Sequence, residues 1–190
     1  MTGFRANTPD GEGLYGDTVW PMGLGIGAAT VLVFLQFTPR PFLTTIAAIL
    51  WLVALMGVAA LIQTRRARMS TDRFGRAAWR IAGAPYLVGA AILVADPLLG
   101  NGGLAILLAA SLGISALARL SIALADGPRD RALHFVSGVV TIAVAMAIGF
   151  AWPFALVAPA IKALALDLLV LGTTFFLAHI RQTDGRANTA

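Results

Sequence analysis

The sequence predicts an all-α membrane protein: six transmembrane helices arranged as three tandem helical hairpins, with both termini cytoplasmic. Three observations predict it. Of the 190 residues, 58% are hydrophobic and 12% charged, against about 25% charged in a soluble domain. Six apolar runs each approach the roughly 20 residues that a helix needs to cross the hydrocarbon core. The arginines gather on alternate links between those runs, where membrane orientation places them.

The elements follow in order. Residues 1–18 read as a disordered tail. Arg5 stands there against Asp10, Glu12 and Asp17, whereas a secretory signal would open basic and end in a small-residue cleavage site. The first helix runs over Val19–Phe37. The second runs over Pro41–Ile62, with its proline in the first turn, where the missing N–H costs nothing. The third covers Ala77–Val94, the fourth Gly102–Ala125, the fifth Leu133–Trp152 and the sixth Phe154–Ile180. Residues 181–190 form a cytoplasmic tail. Apolar runs of this length satisfy their backbone groups in lipid as helices, not strands.

Short links join the runs in pairs, giving hairpins at 19–62, 77–125 and 133–180 inside a transmembrane domain of 19–180. Thr38-Pro39-Arg40-Pro41 closes the first hairpin, Asp96 to Asn101 the second and Trp152-Pro153 the third. The turns mark an internal repeat: Pro41, Pro97 and Pro153 are spaced by 97 − 41 = 56 and 153 − 97 = 56 residues. At the same offset Gly27-Ala28 aligns with Gly83-Ala84, and Gly57 with Gly113. A fixed period of this size is the signature of a repeated supersecondary unit.

Charge sets the expected orientation. Arg65, Arg66, Arg68, Arg73, Arg76 and Arg80 lie between helices two and three against the single acid Asp72. Arg129 and Arg131 lie between helices four and five, and Arg181 and Arg186 in the C-terminal tail. Only Arg40 falls on the opposite side, so the long links and both ends are expected in the cytoplasm. The net charge of +5 is explained by this bias, and no nucleic-acid partner is expected.

Asp167 is the strongest candidate functional residue. It sits mid-helix in Leu166-Asp167-Leu168, where an acid costs about 2.5–3.5 kcal/mol on insertion scales. Leucines at roughly −0.5 kcal/mol each offset that. Two readings follow: a proton-responsive or ion-contacting site, or an acid that hydrogen-bonds across to a neighbouring helix. Lys162 is five residues away, which at 100° per residue puts it about 140° round the helix. It is expected to snorkel to the outer surface. Arg119, within two turns of the inner end of helix four, is expected to snorkel inward. Its pairing with Asp167 requires the two helices to be offset in depth. Together Asp167, Lys162 and Arg119 form the candidate intramembrane polar site. His134 and His179 fall near inner helix ends, as interfacial histidines. Trp20, Trp79 and Trp152 fall near run ends, as interfacial aromatics.

Small residues give the expected packing faces: Gly23 and Gly27 in helix one, Ala105, Ala109 and Gly113 in helix four, Ala145 and Gly149 in helix five. Such stripes let backbones approach closely, which fits a tight bundle and a homo-oligomer. With no cysteine, disulfides and thiolate chemistry are excluded. No H-E-x-x-H, no G-x-S-x-G and no phosphate-binding glycine loop occurs. The expectation is therefore no catalytic residue, no cofactor and no metal, with the lipid bilayer as the main partner.

These residues resemble the HdeD family of small bacterial inner-membrane proteins. The likeness covers about Val19 to Ile180 and is carried by the length, the three two-helix repeats and the last repeat's motifs. These are Ser137-Gly138-Val139, Trp152-Pro153 and Leu166-Asp167-Leu168-Leu169-x-x-Gly172. Pro97-Leu98 and Ser115-Ala116-x-x-Arg119-Leu120 add to it, while the Gly-rich helix one and Pro39 depart from it. The resemblance implies a non-enzymatic contribution to acid or envelope stress resistance in the plasma membrane. The alternative from the residues is a small transporter or proton-linked channel using the intramembrane carboxylate.

Overall fold

The computed structural model describes residues 12–37, 41–70, 72–96, 102–125, 128–151 and 157–187. They form six helices: α1 (Glu12–Phe37), α2 (Pro41–Met69), α3 (Arg73–Ala95), α4 (Gly102–Ala125), α5 (Pro128–Ala151) and α6 (Val157–Ala187). All six contain a stretch long and apolar enough to cross a membrane. The chain is thus built as a multi-pass membrane protein. Its surface agrees: Phe150 is 79% and Leu124 68% exposed, while Arg119 is 2% and Asp167 1% exposed. Large apolar groups face outward while Arg119 and Asp167 face inward, the distribution that lipid favours.

Several helices extend beyond their apolar runs. α1 begins at Glu12, inside the segment expected to be disordered, although its membrane-crossing stretch starts at Val19. α2 continues through Arg65, Arg66 and Arg68 to Met69, and α6 continues to Ala187. An apolar run marks only the part of a helix that lies in hydrocarbon, and the hydrogen-bond ladder does not stop at the interface. Between α2 and α3 the turn is tight. Asp72 caps α3 by accepting from the Gly75 N–H at 3.1 Å, as a short carboxylate does at an N-cap. The proline turns at Pro39, Pro97 and Pro153, and Trp152, lie outside the described residues.

From α2 to α5, consecutive helices run antiparallel, as the residue pairs at their contacts show. Between α2 and α3, Ala60 and Gln63 meet Gly83 while Met56 meets Gly89. Between α3 and α4, Ser115 meets Ala82 while Leu108 meets Gly89. Between α4 and α5, Leu120 meets Gly138 while Ala109 meets Gly149. α1 packs against α6 and so closes a ring, and α2 also touches α6 across the interior. The most extensive packing is of α4 on α5, α2 on α3 and α1 on α6, while α1 on α2 and α5 on α6 pack less. One contact repeats along the chain. Ala60 and Ala116, 116 − 60 = 56 residues apart, each present a carbonyl to a glycine, Gly83 and Gly138.

The glycines that permit close approach differ from those expected. Gly27 is tightly packed under Leu55, and its carbonyl accepts from Trp51 Nε1 at 3.2 Å. Gly149 lies against Ala109. Gly23 and Gly113, however, have open space where a Cβ would stand, because they lie off the faces that their helices bury. The tightest crossing is at Gly172, where a Cβ would come within 2.6 Å of Gly25 N and 3.0 Å of the Pro21 carbonyl. Backbone meets backbone there, which only glycine allows.

Candidate functional site

Four helices each bring polar side chains to one buried point. On α4, Ser111, Ser115 and Arg119 recur every fourth residue and so share one face; all three are buried. Ser111 Oγ donates to the Leu108 carbonyl at 2.8 Å, and Ser115 Oγ crosses to the Ala82 carbonyl of α3 at 2.7 Å. That carbonyl lies beside a weakened turn. Pro85, inside α3, lacks the N–H that would bond to Ile81. On α5, His134, Ser137 and Thr141 follow the i, i+3, i+7 spacing of a single face and are buried. α3 contributes Tyr86, fully buried, and α6 contributes Asp167.

Arg119 and Asp167 are the poles of this cluster. Arg119 Nη1 lies 3.6 Å from Asp167 Oδ1. Two hydroxyls bridge them. Tyr86 OH accepts from Arg119 Nη2 and donates to Asp167 Oδ2. Thr141 Oγ1 accepts from Arg119 Nη1 at 2.7 Å and donates to Asp167 Oδ1. The single Thr141 proton also has the Ser137 carbonyl as an acceptor at 2.9 Å. Ser137 Oγ takes a further bond from Arg119 Nη1 at 3.0 Å. Both carboxylate oxygens therefore lie against hydroxyl groups. The guanidinium supplies a charge of opposite sign at the same depth. A pair of opposite charges enclosed within the bundle is the form in which charges persist inside a bilayer. Arg119 Nε finds no protein partner among the described residues.

The expected site is thus brought together only in part. Asp167 and Arg119 meet, but Arg119 does not snorkel: it turns into the bundle. Lys162 lies apart, exposed, donating to Gln36 Oε1 of α1 at 3.5 Å. Its five-residue offset from Asp167 puts it on the other side of α6. Tyr86, Ser137 and Thr141 complete the cluster and were absent from the expected set. The i, i+4 pairing of Ser137 with Thr141 was the sequence signal available for those two; Tyr86, a lone phenol on α3, had none. His134 stands near the end of the α5 span, 134 − 131 = 3 residues from its start, with its side chain enclosed by protein. It is 4% exposed and meets the Trp79 ring edge-on at 5.4 Å between centroids.

A second cluster adjoins the first at the end of the bundle where α1 begins and α6 ends. The Arg66 guanidinium lies over the Phe175 ring at 4.7 Å and the Trp79 ring at 5.7 Å. This cluster opens on a cavity of about 660 Å³ whose walls come from α1, α2, α3 and α6. Asp167 does not line it.

Chemically, the Arg119–Asp167 cluster holds a titratable carboxyl and a permanent cation away from solvent. Among the described residues, no group of three His, Cys, Asp or Glu side chains could hold a metal ion. Comparison with protein-family models, curated proteins and solved structures finds no match to this chain.

Proposed function

We propose that the chain is a multi-pass protein of the bacterial inner membrane, similar to the HdeD family, that contributes to acid or envelope stress tolerance without catalysing a reaction. The observation that carries this reading is the enclosed Arg119–Asp167 pair. It is a charge-matched lock between α4 and α6, with Tyr86 and Thr141 drawn in from α3 and α5. Proton uptake at Asp167 removes one of its two charges and leaves Arg119 without a counter-charge. A lock of this kind gives a bundle a built-in response to protons. The end of the bundle that carries Arg65, Arg66, Arg68, Arg73, Arg76 and Arg80 is the end where α1 begins and α6 ends. The positive-inside bias puts that end in the cytoplasm.

The test is survival of a deletion strain at low external pH. It is complemented at matched membrane levels with wild type, with Asp167→Asn, or with the charge-free pair Arg119→Gln/Asp167→Asn. Rescue by wild type and by neither variant supports acid protection through the titratable pair. Equal rescue by wild type and the charge-free pair makes the lock structural. Absence of rescue by wild type refutes the stress role.

One observation favours a proton-linked channel as a second reading. His134, Ser137 and Thr141 share the face of α5 that leads from its first turns to Asp167. Proton flux into liposomes holding the purified chain, abolished by Asp167→Asn, would select this reading; no flux under an imposed pH gradient would sink it.

A further inference from the structure

The cavity of about 660 Å³ joins two chemistries at one depth. Arg65, Arg66 and Arg68 line it, with Thr64 and Ser70. Trp20 and Trp79 line it as well, with Arg66 stacked over Trp79. Its walls come from the start of the α1 span, the end of the α2 span, the first turns of α3 and the end of the α6 span. All four positions lie at the same end of the bundle, because they wall one cavity. Arg66 is held toward the interior by its stacking over Phe175 and Trp79, so its charge is fixed at the cavity wall instead of sweeping through solvent. Guanidinium groups pair with phosphate oxygens in a planar, two-bond fashion. The tryptophan bodies offer apolar surface beside that site, where aromatic side chains sit at the level of lipid head groups.

We propose that this cavity is a binding site for a phosphate group, presented by the head group of an anionic phospholipid. Phosphate is the shared chemistry, and a free phosphate ion is the other source that could supply it. The interfacial depth and the indole-lined wall favour the lipid, whose acyl chains continue along the apolar outer surface of the bundle. A basic pocket between transmembrane helices at this level is the expected form of such a site. The proposal is independent of the stress role and of the Arg119–Asp167 pair.

Native mass spectrometry of the full chain in detergent, titrated with phosphatidylglycerol or with phosphatidylcholine, tests it. Arg65→Gln/Arg68→Gln is the site variant, since both residues are exposed and Arg66 is left to its aromatic contacts. Arg73→Gln/Arg80→Gln is a control that removes the same charge from exposed positions outside the cavity lining. The expected result is retention of phosphatidylglycerol over phosphatidylcholine by wild type and the control. Each cavity arginine removed should weaken it about fivefold, and the pair about 30-fold. Equal weakening in the control would reduce the effect to general surface charge and overturn the site. Inorganic phosphate forms the second arm. Saturable phosphate binding with the same arginine dependence, and no preference for the anionic lipid, keeps the phosphate site but assigns it to a soluble ion. Binding of neither probe overturns the proposal.

Discussion

Consider Arg119→Gln, Asp167→Asn and the two together. The charged atoms are 3.6 Å apart, and at an effective dielectric of about 20 their attraction is about 5 kcal/mol. Removing one member of a buried pair costs about 3–5 kcal/mol in soluble proteins, because the survivor is left uncompensated. In membranes the unfolded state also finds partners, and single polar contacts fall to about 0.6 kcal/mol on average and about 1.7 at most. A surviving Arg119 keeps its bonds to Ser137, Thr141 and Tyr86, and a surviving Asp167 keeps those from Tyr86 and Thr141, but neither has a counter-ion, so each single variant should lose about 2–4 kcal/mol. The double variant exchanges two charges for two amides of similar shape. Its loss should be smaller than the two single losses added, with a coupling of at least about 2 kcal/mol. Equilibrium unfolding in mixed micelles, followed by far-UV circular dichroism, measures all four corners of the cycle. Single losses that add to within about 0.5 kcal/mol would show that the two side chains do not share their charge, and the lock would have to be abandoned.

Tyr86→Phe removes a hydroxyl that accepts from Arg119 and donates to Asp167; a loss of about 1–3 kcal/mol is expected in the same assay, and no loss would mean the bridge is idle. Gly172→Ala drives a methyl group to within 2.6 Å of Gly25 N and 2.9 Å of its Cα. Neither backbone can yield without the helices separating, so about 1–3 kcal/mol is expected, read as a fall in melting temperature. Gly89→Ala meets Met56 Cε, the far end of a flexible side chain, and should cost less than Gly172→Ala. Gly113→Ala enters open space and should be neutral or stabilising by up to about 1 kcal/mol, as alanine favours helix. Melting curves that place Gly113→Ala below Gly172→Ala would contradict the packing described here.

Element type and number were legible because the membrane imposes one rule on every segment: the backbone must satisfy itself. Gly102–Ala125 was read with the bounds observed for α4. The start of α1 and the C-terminal ends of α2 and α6 were not, because helix outside the hydrocarbon leaves no apolar signature. Packing glycines were legible only where spacing and face coincided. Gly27 and Gly149 lie at contacts, but Gly23 and Gly113 satisfy the small-residue spacing and still point away from neighbours. Gly172, at the tightest crossing, has its partner on α1, the helix farthest from it in sequence. A pattern within one helix cannot identify a partner that distant.

The site was half legible for a reason that can be put in ångströms. Measured along its helix, Arg119 lies 125 − 119 = 6 residues from the end of the α4 span, and Asp167 lies 180 − 167 = 13 residues from the end of the α6 span. Both ends are at the same face, so at 1.5 Å per residue the Cα atoms sit about 9 and 20 Å deep. Counted by Cα alone the two residues miss each other, which is why an inward-snorkelling Arg119 was the natural expectation. Side chains on a helix, however, lean toward its N-terminus. On α4 that direction is deeper into the membrane, and a guanidinium spans much of the difference. On α3, which runs the opposite way, Tyr86 lies 86 − 73 = 13 residues from the start of its span, about as deep as Asp167. Its N-terminal lean carries the phenol back up to meet the guanidinium. Thr141 and Ser137, at 141 − 131 = 10 and 137 − 131 = 6 residues into the α5 span, fall at about 15 and 9 Å, beside the length of the arginine. The hydroxyls thus form a ladder along the guanidinium's path from its own depth to that of Asp167. Helix polarity, rather than residue depth, decides which intramembrane charges can pair.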